Sequence, residues 1–202
     1  MDFLHDIILP LAGSPWLYLI ALALVVLDGF FPLFPSEAVI VALAALAATN
    51  DTPDLLALFL TATAGAILAD NATYLIGRSL GRQRVEGLRL PPLTRLLGWA
   101  EKSLQTRPAM LVLVARFIPW ARLAVNLTAG TVSYPYRRFA PLCAFASTLW
   151  ATYNVAMGYL AGRWFSSNPL LGMLLAIVFA IIIGVALDKL IGLARRGNRL
   201  GV

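Results

Sequence analysis

The chain has 202 residues, 60% of them hydrophobic and only 13% charged, whereas a soluble domain carries about 25% charged residues. With a mean hydropathy of +0.80 it is expected to be one integral membrane domain, residues 1–202 with a core at about 15–165, and not a soluble enzyme. The formal charge of +6 reads as cytoplasmic-loop bias and excludes a nucleic-acid partner, because the basic residues cluster at the ends of apolar segments.

Residues 3–12 form a short apolar stretch broken by Pro10, read as an interfacial helix. No basic residue precedes it; Asp2, His5 and Asp6 stand there instead, so a cleaved signal peptide is not expected. The first span is expected from about Pro15 to Phe31, with Trp16 and Tyr18 as belt residues. The break Phe31-Pro32-Leu33-Phe34-Pro35-Ser36-Glu37 follows, then an alanine-rich run to Thr49. That run is far shorter than the roughly 20 residues a spanning helix needs, so 32–49 is expected to be a re-entrant hairpin. Leu55 to Gly77 is long enough to span.

Residues 78–107 hold seven of the sixteen Lys and Arg and are expected to be cytoplasmic. Within them Leu93, Leu96, Leu97, Trp99, Ala100 and Leu104, interleaved with charges, suggest an amphipathic helix on the membrane surface. Arg116-Phe117-Ile118-Pro119-Trp120-Ala121-Arg122 interrupts the next apolar run. It makes 108–130 a second expected re-entrant hairpin, opposed to the first. Arg137 and Arg138 follow, then spans from Phe139 to Gly162 and from Pro169 to Leu187, the latter ending in a basic tail from about 194. The expected fold is therefore all-α and polytopic. It has about four transmembrane helices, two opposed hairpins with inverted-repeat character, and both termini in the cytoplasm. No sequence repeat is visible.

The chemistry-bearing residues are the charges inside apolar segments. An ionisable group near the bilayer centre costs roughly 2.5–3.5 kcal/mol, so Glu37, Asp70, Arg116 and Arg122 must pair or line a wet cavity. Thr63, Ala66, Asp70, Tyr74 and Gly77 share one helical face. Glu37 reads either as a helix-capping carboxylate or as a proton-exchanging one. Asp28 lies near a span end, and an interfacial role is expected for it. Arg116 and Arg122 would lie about 240° apart on an unbroken helix, but a break at Pro119 lets both point into one cavity. Arginine offers a planar, bidentate fork to phosphate. Trp150, Tyr153, Asn154, Met157 and Gly158 read as a packing stripe. Cys143 is the one cysteine and His5 the one histidine. This excludes an intrachain disulfide and a Cys/His metal cluster, and no cofactor is expected.

Three motifs resemble the DedA family, also called SNARE-associated or VTT-domain proteins. Residues 31–37 are similar to F-P-x-x-P-G-E, with Ser36 for glycine. Residues 69–82 are similar to G-D-x-x-x-Y-x-I-G-R-x-x-G, with Ala69 for glycine. Residues 116–122, continuing to Ala129-Gly130, are similar to R-F-I-P-G-x-R…A-G, with Trp120 for glycine. The resemblance covers about 15–165. It implies opposed hairpins and lipid translocation in the cell membrane, linked in bacterial members to undecaprenyl-phosphate recycling and the proton-motive force. Eukaryotic relatives are scramblases.

The expected function is proton-coupled translocation of a polyprenyl phosphate, a lipid partner. Arg116 and Arg122 would bind the phosphate, and Glu37 and Asp70 would exchange protons. Pro35, Ser36, Tyr74, Arg78, Pro119, Asn126 and Gly130 are expected to support them. The alternatives are a phospholipid scramblase or phosphoethanolamine-lipid flippase, an intramembrane phosphatase or transferase, and a structural assembly factor. Phosphatases of that kind use catalytic histidines, and His5 is isolated.

Overall fold

The computed structural model describes residues 14–31, 34–87 and 91–165. Those residues form seven helices and no strand: α1 (Pro15–Phe30), α2 (Ser36–Asn50), α3 (Leu55–Gly87), α4 (Pro91–Thr106), α5 (Pro108–Arg116), α6 (Pro119–Thr131) and α7 (Tyr136–Phe165). The expected interfacial helix at 3–12 and the span from Pro169 lie outside the described residues.

Proline sets most of the boundaries. Pro15 opens α1 behind the Ser14 cap, whose side chain accepts from the Trp16 N–H at 3.4 Å. Phe31, which precedes Pro32, is extended (φ −127°, ψ 89°) and ends the helix. In the same way Ile118 is extended (φ −121°, ψ 106°) before Pro119, which opens α6. Helix α2 ends on Asp51 in the left-handed region (φ 55°), whose N–H bonds back to Ala47.

Two boundaries differ from expectation. Residues 36–50 form one uninterrupted helix, so the expected segment 32–49 contains the break only at its start, and the helix across that break is α1. Helix α3 runs past Gly77 to Gly87, with its kink at Gly81 (φ 68°, ψ 159°), a conformation that favours glycine. The basic segment therefore begins on the same helix as the apolar one. The amphipathic helix is present as α4, slightly longer than expected, and Arg82 on α3 pairs with Glu101 on α4 at 2.8 Å.

Residues 55–82 of α3, whose most apolar stretch has mean hydropathy 1.6, form the one described segment long and apolar enough to cross a membrane. Helices α1 and α2, at 16 and 15 residues, reach only about 22–24 Å, against a hydrocarbon core of roughly 30 Å. Leu56, Leu60, Leu68, Phe145 and Leu160 point outward, each more than half exposed, giving a surface suited to lipid.

The packing is reciprocal. Helix α3 lies chiefly against α6, and α7 lies chiefly against α2. In each three-helix unit, α1–α2–α3 and α5–α6–α7, the first helix contacts the second and third. Small residues make both grips close. A methyl group at Gly77 would meet the Leu127 carbonyl, and one at Gly130 the Tyr74 carbonyl. On the other side, Gly158 lies equally close to Val41. One apolar core, around Ile40, Leu58 and Trp150, lies between α1, α2, α3 and α7. The other, around Tyr74, Val125 and Phe139, is shared by α3, α4, α5, α6 and α7.

Candidate functional site

The two chain breaks and the middles of α3 and α7 meet at one buried cluster. The break between α5 and α6 is only Phe117-Ile118, so Arg116 closes one helix and Arg122 sits in the first turns of the next. Breaking the helix there removes the angular separation of an unbroken one, and both guanidinium groups reach Asp70. Arg116 Nη1 donates to Asp70 Oδ2. Arg122 Nε lies 4.0 Å from Asp70 Oδ1. Both side chains are buried, Arg116 at 1% and Arg122 at 5% exposure. The structure thus brings Arg116, Arg122 and Asp70 together.

Helix α7 holds the same carboxylate from the other side. Ser147 Oγ donates to Asp70 Oδ2 at 3.4 Å and Cys143 Sγ at 3.6 Å. Asp70 thus faces an arginine, a hydroxyl and a thiol on one oxygen. Trp150, one turn beyond Ser147, is fully buried and lies under Arg116, 4.8 Å from ring centroid to guanidinium carbon.

Asp28 corrects the interfacial role expected for it. Its residue is 8% exposed; it accepts from Ser36 Oγ at 3.0 Å and from Arg122 Nη2 at 3.2 Å. Arg122 Nη2 also donates to the Asp28 backbone carbonyl at 2.8 Å. The end of α1 is buried by its packing against α3. Gly29 allows this, because any Cβ there would collide with Ala69, next to Asp70.

Glu37 takes a different place from the one expected. It is exposed, and among the described residues it pairs with neither arginine. Its Oε1 accepts from Trp150 Nε1 at 3.0 Å. Pro35 precedes α2 and Pro119 opens α6, at the two breaks. Asn126 is buried on α6. Tyr74, Arg78 and Gly130 lie apart from the cluster. The Tyr74 hydroxyl donates to the Tyr134 carbonyl at 2.5 Å and accepts from Arg78 Nη1 at 3.1 Å, its ring stacks on Phe139 at 4.6 Å, and Gly130 abuts its carbonyl. These join α3 to α6 and α7 rather than contact the arginines.

Sequence reasoning missed Asp28, Cys143 and Ser147, and read Trp150 only as packing. The signal for the last three was their spacing: 143, 147, 150 and 154 lie on one helical face, and all four are buried.

The cluster is balanced in charge, two carboxylates against two guanidinium groups, but not in hydrogen bonds. Arg116 Nε and Nη2 and Arg122 Nε are buried without an acceptor in the protein. Nε and Nη2 form one edge of the guanidinium plane, the fork that binds two oxygens of a phosphate or carboxylate. The donors of that edge remain unpaired while Nη1 is bonded to Asp70. Among the described residues no three His, Cys, Asp or Glu side chains are grouped to hold a metal ion.

Fold and site define a helical membrane protein of two interlocked three-helix units around a buried arginine–aspartate cluster. The chain belongs to the VTT-domain (DedA) family, whose model, described as VTT domain, matches residues 34–160. Among its relatives, a Bacillus subtilis (strain 168) protein named undecaprenyl phosphate transporter A is 26% identical over 172 residues, 81% of this chain and 86% of that protein. A Lactococcus lactis subsp. cremoris (strain MG1363) protein named alkaline phosphatase-like protein is 28% identical over 167 residues, 79% of this chain and 78% of its own. A membrane protein of Mycobacterium tuberculosis (strain ATCC 25618 / H37Rv) is 26% identical over 136 residues, 63% of this chain and 62% of its own. No solved structure matches the chain.

Proposed function

We propose that this chain moves a lipid phosphate, a polyprenyl phosphate first among them, across the cell membrane. The observation that carries the reading is the open Nε/Nη2 edge of Arg116 in a buried site. A buried donor without an acceptor costs about 1–3 kcal/mol, and a phosphate oxygen removes that cost. The Bacillus relative's name supports the same substrate class.

The pairs α1–α2 and α5–α6 act as opposed re-entrant hairpins whose tips, at the two proline breaks, enclose the headgroup. The tail stays in lipid. The segment 78–107 and the start of α7 lie on the cytoplasmic side, by the placement of Arg78, Arg82, Arg107, Arg137 and Arg138. Asp70 competes with phosphate for the two arginines: ionised, it favours release; protonated, it yields the site. Glu37, exposed on the protein surface and bonded to Trp150, is the acid assigned to proton exchange in this reading.

The test is reconstitution in vesicles with fluorescent polyprenyl phosphate beside an ordinary phospholipid, with and without a pH gradient. The expected result is gradient-dependent movement of the phosphate lipid alone. Equal movement of both lipids without a gradient would make the protein a scramblase. The name of the Lactococcus relative favours a second reading, a lipid phosphatase; release of inorganic phosphate in the same vesicles would establish that instead.

A further inference from the structure

Glu37 and Arg116 do not touch, yet one side chain touches both. The Trp150 indole N–H donates to Glu37 Oε1 at 3.0 Å, and its ring face lies 4.8 Å from the Arg116 guanidinium carbon. Trp150 is 1% exposed. It is packed among Ile40, Ala44 and Leu58, so it cannot swing freely. Its two polar capacities, one edge donor and one electron-rich face, point to the exposed acid and the buried cation respectively.

We propose that Trp150 is the positioning residue that links the protonation of Glu37 to the anion-binding edge of Arg116. The proposal rests on the transport reading above and adds to it the route of proton coupling. The ring covers one face of the guanidinium, Asp70 holds Nη1, and Nε and Nη2 remain open. Ionised Glu37 accepts the indole hydrogen bond strongly and fixes the ring under Arg116. Protonated Glu37 is a weaker acceptor, and it loosens the indole and with it the guanidinium plane. Of the elements packed against α2, α1 carries Asp28 and α3 carries Asp70; Arg116 and Arg122 belong to α5 and α6. Among the described residues none bonds to Glu37, so Trp150 is the contact through which its charge reaches the site.

Two replacements separate the two capacities. Trp150→Phe keeps an aromatic face and removes the donor; Trp150→Leu removes both. A cation–π contact corresponds to a factor of roughly three to thirty in affinity. Trp150→Leu should therefore weaken binding of polyprenyl phosphate in detergent by that factor, and Trp150→Phe by less. In vesicles, Trp150→Phe should lose the response to a pH gradient as fully as Glu37→Gln does, and the double variant should lose no more than either. A Trp150→Phe variant with the wild-type gradient response, or additive losses in the double variant, would overturn the link.

A readout independent of transport is the indole N–H resonance of isotope-labelled tryptophan in nanodiscs, assigned by its absence in Trp150→Phe. It should titrate with pH in the wild type and stay fixed in Glu37→Gln. A resonance that ignores pH, or titrates equally in both, sinks the proposal even where transport is found. If the resonance titrates as expected while vesicles move no phosphate lipid, the transport reading fails and the Glu37–Trp150–Arg116 link stands.

Discussion

Asp28 and Asp70 divide the two buried arginines unequally. Arg122 is held twice by Asp28, through the carboxylate and the backbone carbonyl. Arg116 has one bond to Asp70 and two open nitrogens. Removing Asp70 would leave Arg116 without its carboxylate and Arg122 with Asp28 alone, and breaking a buried pair this way costs about 3–5 kcal/mol. Asp70→Ala should therefore lower the melting temperature in detergent sharply, whereas Asp70→Asn, which keeps a polar partner, should lower it less. Arg122→Lys keeps the charge but loses the planar group that reaches Asp28 through Nη2 while its Nε faces Asp70. It should express normally and transport phosphate lipid roughly tenfold more slowly, the size of one charged hydrogen bond. Wild-type rates in that variant would show that charge alone is needed. Asp70, Arg116 and Arg122 were legible because a charge inside an apolar run must find a partner. Asp28 was not: its depth depends on a chain reversal that one-dimensional spacing does not contain.

At the scale of the elements, close approach between backbones holds the two units together. Gly130 and Gly77 bring α6 onto α3 so tightly that each would place a methyl group in the other helix's carbonyl groups. Gly130→Ala should destabilise the protein by about 1–3 kcal/mol through overpacking, read as a lower midpoint of thermal unfolding in detergent. Gly98, inside α4, has nothing within 4 Å of an added Cβ. Gly98→Ala should raise stability by about 0.5–1 kcal/mol, since alanine is the better helix former. Equal effects at both sites would remove the packing argument for Gly130. Helix limits set by proline, at Pro15, Pro35, Pro108 and Pro119, could be read from the sequence. The continuation of α3 to Gly87 could not, because charge marked where the apolar layer ends and not where the helix does. The helix at 36–50 is unbroken for a related reason. A segment too short to cross need not turn back within itself when the helix before it supplies the other arm.

The whole molecule repeats a backbone plan that the sequence conceals. After α2 the chain passes Asp51 (φ 55°) and reaches Pro53; after α6 it passes Ser133 (φ 54°) and reaches Pro135. Each link is a left-handed residue followed two positions later by proline, and each leads into the long third helix of its unit. Asp and Ser both tolerate or favour such turns, so the equivalence survives where residue identity does not. If the units are inverted across the bilayer, as the transport reading requires, the two links lie on opposite faces, with the second beside Arg137 and Arg138 inside. Cys143 is the one cysteine, and its thiol donates to Asp70. Cys143→Ser keeps that donor and gives a cysteine-free background. Single cysteines introduced by Asn50→Cys and Ser133→Cys, both at exposed positions, can then be challenged with a membrane-impermeant maleimide on intact cells and on inside-out vesicles. The expected outcome is labelling at 50 only from outside and at 133 only from inside. Labelling of both from the same face would make the units parallel and would remove alternating access between opposed hairpins as the mechanism.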